Sequence, residues 1–223
     1  MKRLIHIEQI KILNYNPFRI AIALYFIFFS LGIVIYPLID REIPVISISD
    51  VFRFPDVWMF MTWITDPFNV ILALIIIMIV SKEFTNHTFK TQVIFGMSRT
   101  ELLTQKLLTI FVLAIFATLL VGATSLSLGL IYSYKLTFKI ALENMWILGM
   151  YFLVAFSYMT FGLLFALLIK NTAMALLSFL ALRTFIEPII FIILKSKDIE
   201  FRWYLPLKTI TRLTPIPDPV SYT

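Results

Sequence analysis

The chain has 223 residues, 60% of them hydrophobic and 14% charged, with a net charge of +6 and a mean hydropathy of +0.93. An average soluble domain is about 45–50% apolar and about 25% charged, so this balance excludes most soluble enzyme classes and points to a multi-span membrane protein. The long apolar runs exclude an outer-membrane barrel of short alternating strands. The absence of cysteine removes disulfides, thiolate metal sites and Cys nucleophiles.

In chain order, residues 1–17 mix Lys2, Arg3 and Lys11 with Leu4, Ile5, Ile7 and Ile10, the composition of an amphipathic interfacial helix. The first span is expected over 18–39, with no A-x-A-like cleavage site after it. A polar connection, 40–56, leads to a second span over 57–81. Trp58 and Trp63 read there as an interface belt, and Asp66-Pro67 as a kink or restart.

The stretch 82–101 is the most polar between spans. Phe84, Thr88, Thr91 and Phe95 recur at helical spacing and predict a short helix with one apolar face. Gly96 ends it, and Ser98-x-x-Glu101 reads as a capping box opening the third span, 102–132. Ser125-x-x-x-Gly129 in that span and Gly162-x-x-x-Ala166 in the fourth, 140–169, are small-xxx-small patterns that let helices approach closely. A tight turn at Lys170-Asn171-Thr172 precedes a fifth span, 173–194. The tail, 195–223, is Pro-rich and too polar to be a sixth. No internal repeat is visible. The expectation is an all-α polytopic protein with five visible transmembrane helices in a single domain, 1–223.

With the amino terminus inside, Lys2, Arg3, Lys11, Arg19, Lys82, Lys90, Arg99, Lys106 and Lys170 lie on the cytoplasmic side. Arg41, Arg53, Lys135 and Lys139 lie on the first two outer connections. That bias obeys the positive-inside rule, although five spans put the basic tail outside. The net positive charge therefore reads as loop bias rather than as a nucleic-acid site.

Little in the chain carries catalytic chemistry. Arg183 and Glu187 read as the only charges near the middle of any span. Their i, i+4 spacing puts them on one helix face as an intramembrane charge pair. Such charges are costly at mid-bilayer and must face protein or water. Either a substrate-path contact or a self-neutralising packing pair fits them, and no second membrane carboxylate is expected beside Glu187. His6 and His87 stand apart, so no metal site is expected. There is no G-x-S-x-G and no Walker A loop. If ATP drives this protein, another polypeptide must bind it.

The segment IIMIVSKEFTNHTFKTQVIFGMSRTELLTQK, residues 76–106, resembles the signature region of type-2 ABC exporter permeases. Glu83, Thr88, Lys90, Gly96, Ser98, Arg99, Leu102 or Leu103, and Lys106 stand at the family's positions. Val57-Trp58 and Phe68-Asn69 add a likeness to permeases of the gliding-motility and multidrug-efflux type. The resemblance implies a non-enzymatic permease subunit, a dimer with itself or a similar permease, in the bacterial inner membrane with its amino terminus cytoplasmic. It implies separate cytoplasmic ATPase subunits that bind the ATP, and no cofactor on this chain. In such permeases this segment is a coupling helix, which would give Glu83, Phe84, Thr88, Phe89, Lys90, Phe95 and Arg99 to the ATPase contact. The family has six spans, with a re-entrant helix pair between the last two that 201–217 resembles. The chain is then either truncated or a five-span variant. An intramembrane lipid-processing enzyme and a non-transporting membrane scaffold are the alternatives.

Overall fold

In a computed structural model the described residues are 52–133, 138–197 and 199–215, with positions 19, 23, 26, 27 and 30 in addition. The expected interfacial helix, and the first span apart from those five helical positions, lie outside them. Among the described residues the protein is helical and has no strand. The helices are α1 (Val57–Thr85), α2 (Thr88–Ile94), α3 (Arg99–Tyr132), α4 (Phe138–Leu142), α5 (Ile147–Ile169), α6 (Thr172–Ala181), α7 (Glu187–Ser196) and α8 (Pro206–Thr211). A π-helical turn (Leu182–Ile186) joins α6 to α7, and a 3-10 turn (Glu200–Tyr204) precedes α8. Four segments are long and apolar enough to cross a membrane: Val57–Thr85, Arg99–Tyr132, Lys139–Ile169 and Thr172–Ser196. They are compatible with a multi-pass membrane protein.

α1 is the central helix. Its apolar stretch is 56% buried, against 11% for Thr172–Ser196. It runs unbroken through Pro67, so the expected restart does not occur. Trp58 is not an interface residue but is fully buried, donating from Nε1 to the Ala141 carbonyl at 3.0 Å, while Trp63 stays exposed. Buried Thr62 and Thr65 satisfy their hydroxyls on their own helix, on the carbonyls of Trp58 and Met61 at 3.0 and 2.7 Å.

α1 packs along α5 and α3, around a core that includes Trp58, Ile76, Ile110, Tyr151 and Met159. The Gly162-x-x-x-Ala166 pattern falls on the α1–α5 seam. A Cβ at Gly162 would come within 2.8 Å of the Ala73 carbonyl oxygen, so only glycine lets α1 and α5 approach this closely. At Gly129 the obstacle would be the Phe54 ring.

The expected fourth span is two helices. α4 gives way at Glu143–Trp146, where Asn144 takes a left-handed conformation (φ 64°), which asparagine tolerates better than most residues. The 170–172 turn uses the same device. Lys170 is left-handed (φ 56°), and Asn171 accepts from the Met174 N–H at 3.1 Å to cap α6.

The tail does more than lie on a surface. α8 folds back against α5, and Leu207 is 1% exposed in a second core with Ala73, Tyr158 and Phe179.

Two outcomes follow. Gly162→Val should cost about 1–3 kcal/mol through overpacking. Gly149→Ala, whose Cβ meets nothing within 4 Å, should be neutral or gain up to about 1 kcal/mol. Thermal unfolding of the detergent-solubilised protein compares them. At the start of α1, burial and the nearby Glu143 carboxylate hold the Asp56 carboxyl above its usual range. The folded protein therefore keeps that proton to higher pH than the unfolded chain does. This contribution to stability falls as pH rises from about 4 through the raised value. Asp56→Asn should raise the melting temperature at about pH 7 and change it little at about pH 3.

Candidate functional site

The α1–α3 connection is built from local capping chemistry. α1 stops at Thr85. The Asn86 N–H donates to the Lys82 carbonyl at 2.9 Å, and His87 turns the chain in a left-handed conformation (φ 54°). α2 follows for seven residues. Its end is a Schellman motif. The Gly96 N–H donates to the Val93 carbonyl and the Met97 N–H to the Gln92 carbonyl, at 3.0 and 3.1 Å, with Gly96 at φ 90°. The capping box then opens α3. The Ser98 N–H donates to Glu101 Oε2 at 2.8 Å, and the Glu101 N–H to Ser98 Oγ at 3.2 Å.

Beneath this excursion lies a buried ion pair. Lys106 Nζ donates to Glu83 Oε1 at 2.7 Å, with the two side chains 3% and 4% exposed. Above it the Phe84 and Phe89 rings stack at 4.4 Å. Lys106 Nζ stands 5.9 Å from the centroid of Phe89, and Lys170 Nζ stands 6.0 Å from that of Phe84, at the outer limit of cation–π range. α2 is thus fastened at its base to α1, α3 and the turn after α5.

The residues named from sequence divide accordingly. Glu83 faces inward onto Lys106. Phe84, Thr88 and Phe89 are half-buried, whereas Lys90, Phe95 and Arg99 are exposed. Ile94 and Phe95 are 81% and 83% exposed. Ile94 was legible as part of the Val93-Ile94-Phe95 run but was not singled out. A cleft of about 770 Å³ opens between α2, α3 and the 170 turn. Phe84, Phe89, Lys90, Arg99 and Lys170 line it, which leaves it apolar inside and positive at the rim.

A second site lies toward the Asp56 end of the bundle. Pro188 has no N–H to give to the preceding turn and would clash with its carbonyl. The helix widens there to the π-turn, in which the Glu187 N–H donates to the Leu182 carbonyl. That widening breaks the i, i+4 register. The Glu187 carboxylate turns instead to the tail, where Oε1 accepts from the Lys208 N–H at 2.7 Å. It thereby supplies the cap that Leu205 cannot provide for α8. Arg183 Nε and Glu187 Oε2 are buried, with the Tyr158 hydroxyl beside Arg183 and the Leu207 N–H beside Glu187. Both residues line a cleft of about 1020 Å³, together with Asp66, Lys208 and Arg212. Asp66 is therefore a second carboxylate in the same cleft as Glu187, contrary to the expectation from sequence. Arg183 is the charged neighbour common to both carboxylates.

Comparison of the chain with protein-family models, with curated proteins and with solved structures gives no match. The geometry alone therefore carries the functional reading. Among the described residues no group of three or more His, Cys, Asp or Glu could hold a metal ion.

Removing one partner of the buried pair takes the 2.7 Å counter-ion away from the other charge. Glu83→Leu and Lys106→Met should each cost about 3–5 kcal/mol, and the double variant should be far closer to wild type. A double-mutant cycle on thermal or denaturant unfolding measures this, and additive losses would contradict the coupling.

Proposed function

We propose that the chain is the membrane permease subunit of an ATP-driven ABC exporter, working as a dimer in a bacterial inner membrane with its amino terminus cytoplasmic. ATP is bound and hydrolysed by separate cytoplasmic ATPase subunits, and the α1–α3 connection is the element they move. The single observation behind this reading is the exposed apolar tip of α2. Ile94 and Phe95 stand almost wholly in the open on a helix whose base is fixed by the Phe84–Phe89 stack and the Glu83–Lys106 pair.

Large apolar side chains at the end of a firmly seated seven-residue helix suit insertion into a pocket on a partner. Interface energy concentrates in such anchors. Lys90 and Arg99, exposed beside the tip, suit an acidic rim around that pocket. A force applied at the tip reaches α1 and α3 directly, because both flank the excursion and Glu83 and Lys106 join their ends. A conformational equilibrium shifts only by differential affinity, so the ATPases must hold the tip differently in their open and closed states.

Replacing both tip residues, Ile94→Asp with Phe95→Asp, should weaken ATPase association by at least about 30-fold, the equivalent of losing a hot spot of 2 kcal/mol or more. Because the tip is exposed, the melting temperature of the permease alone should stay unchanged. Co-purification with the ATPase at wild-type yield would overturn the reading.

A further inference from the structure

We propose that the cleft at the base of α2 holds the phosphate headgroup of an anionic phospholipid, drawn from the leaflet at that end of the bundle. The places where charge stops along the helices set the level of this cleft in a bilayer. After Lys106, α3 carries no charged residue through Tyr132. α5 carries none from Ile147 to Ile169, and Lys170 follows at once. α3 has 34 residues, about 51 Å of helix, against a hydrocarbon core of about 30 Å. Its first two turns, which hold Arg99, Glu101 and Lys106, are therefore the surplus that stands beyond the hydrocarbon. Lys106 and Lys170 mark the headgroup level, and both line the cleft.

The lining is positive, and the chain around it does not balance that charge. Lys90, Arg99, Lys106 and Lys170 line the cleft, and no carboxylate does. The carboxylates on the flanking helix ends are committed elsewhere. Glu83, 3% exposed, is the counter-ion of Lys106 at 2.7 Å. Glu101 Oε2 accepts from the Ser98 N–H and hydroxyl at 2.8 and 2.9 Å in the capping box. Among the described residues no carboxylate lies within ion-pair distance of Lys90, Arg99 or Lys170, and all three are exposed. Like charges gathered around one cleft repel each other until an anion enters. The stacked Phe84 and Phe89 rings stand between two of the ammoniums, with Lys170 on the Phe84 side and Lys106 on the Phe89 side.

The walls select an anion that carries an apolar body. Phe84, Phe89, Val93, Leu103 and Leu167 line the same cleft of about 770 Å³, a volume typical of sites for small amphiphilic ligands. Leu103 is 43% exposed and Leu168, next to the lining, is 70% exposed. Both stand where α3 and α5 enter the hydrocarbon, so an acyl chain can leave the cleft along them while its phosphate stays among the cations. Lysine and arginine bind phosphate by charge-assisted hydrogen bonds. Basic pockets between helices at the headgroup level suit anionic lipids for that reason. A free phosphate would meet the same cations but leave the apolar walls in water.

The proposal stands apart from the exporter reading, because binding is measured on the purified full-length chain without any ATPase. Native mass spectrometry titrates dioleoyl phosphatidylglycerol, which is net negative, against dioleoyl phosphatidylcholine, whose choline cancels the phosphate charge. The two share phosphate and acyl chains, so their difference reads net charge, which is what unbalanced cations discriminate. Each Lys or Arg near an anionic lipid is worth about fivefold in affinity, so phosphatidylglycerol should be preferred at least about tenfold. Lys90→Gln, Arg99→Gln and Lys170→Asn together should weaken phosphatidylglycerol at least about tenfold and phosphatidylcholine far less. Asparagine suits the left-handed backbone at 170 (φ 56°), so the melting temperature should hold. Lys90→Gln with Arg99→Gln alone, which leaves that turn untouched, should give an intermediate loss. Lys139→Gln, Lys195→Gln and Lys197→Gln together remove the same charge from exposed positions at the other end and should change binding less than about twofold. Inorganic phosphate at about 20 mM, compared with chloride at matched ionic strength, should not displace the lipid. Equal weakening by the two triple variants, a preference that survives in the cleft variants, or displacement by phosphate would overturn the proposal.

Discussion

The contact between Lys106 Nζ and Glu83 Oε1, 2.7 Å long and shut away from solvent, is the constraint from which the loop end of the molecule is organised. Two charges taken out of water need an opposite charge close by, and here each meets the other. That requirement brings the end of α1 and the start of α3 together. The chain between them, twenty-two residues from 84 to 105, must leave and return within a narrow gap. The left-handed His87, the Schellman close at Gly96 and the capping box at Ser98 make the tight reversals this needs. The result is a short helix with its base pinned and its apolar tip outward.

The opposite half of the bundle follows from a different constraint, the proline at 188. A missing N–H becomes a π-turn, and the π-turn breaks the simple i, i+4 relation of Arg183 and Glu187. Glu187 then caps α8, and Leu207 enters the second core beside Tyr158 and Phe179. One local defect therefore accounts for the charged cleft and for the way the tail closes over it. The two ends are joined by α1, which approaches α5 closely at Gly162 and Ala73.

The sequence made local features legible and long-range ones obscure. The second span and the third, the helix between them, Gly96 as a stop and the Ser98–Glu101 box were all readable, because capping and hydrophobic periodicity act within a few residues. Ser125-x-x-x-Gly129 and Gly162-x-x-x-Ala166 were readable as seams, but not their partners Phe54 and Ala73. Helix periodicity does not say which neighbour a face meets. The break at Asn144 was hidden inside an otherwise apolar run. Glu83–Lys106 spans twenty-three positions, and Asp66 with Glu187 far more, so neither has a spacing signature. Trp58 looked like a belt residue because tryptophan favours interfaces. Its indole N–H instead found a carbonyl in the core, which overrides that preference.

The central proposal is that the tip at Ile94–Phe95 is gripped by an ATPase on the cytoplasmic side. The chain has no cysteine, so Phe95→Cys gives a single reporter. Labelling with a membrane-impermeant maleimide, in vesicles of both orientations and with and without the ATPase, is the most direct measurement. The account predicts labelling from the cytoplasmic face alone, lost when the ATPase is bound. Labelling from the outer face, or labelling that persists in the assembled and active complex, would contradict it.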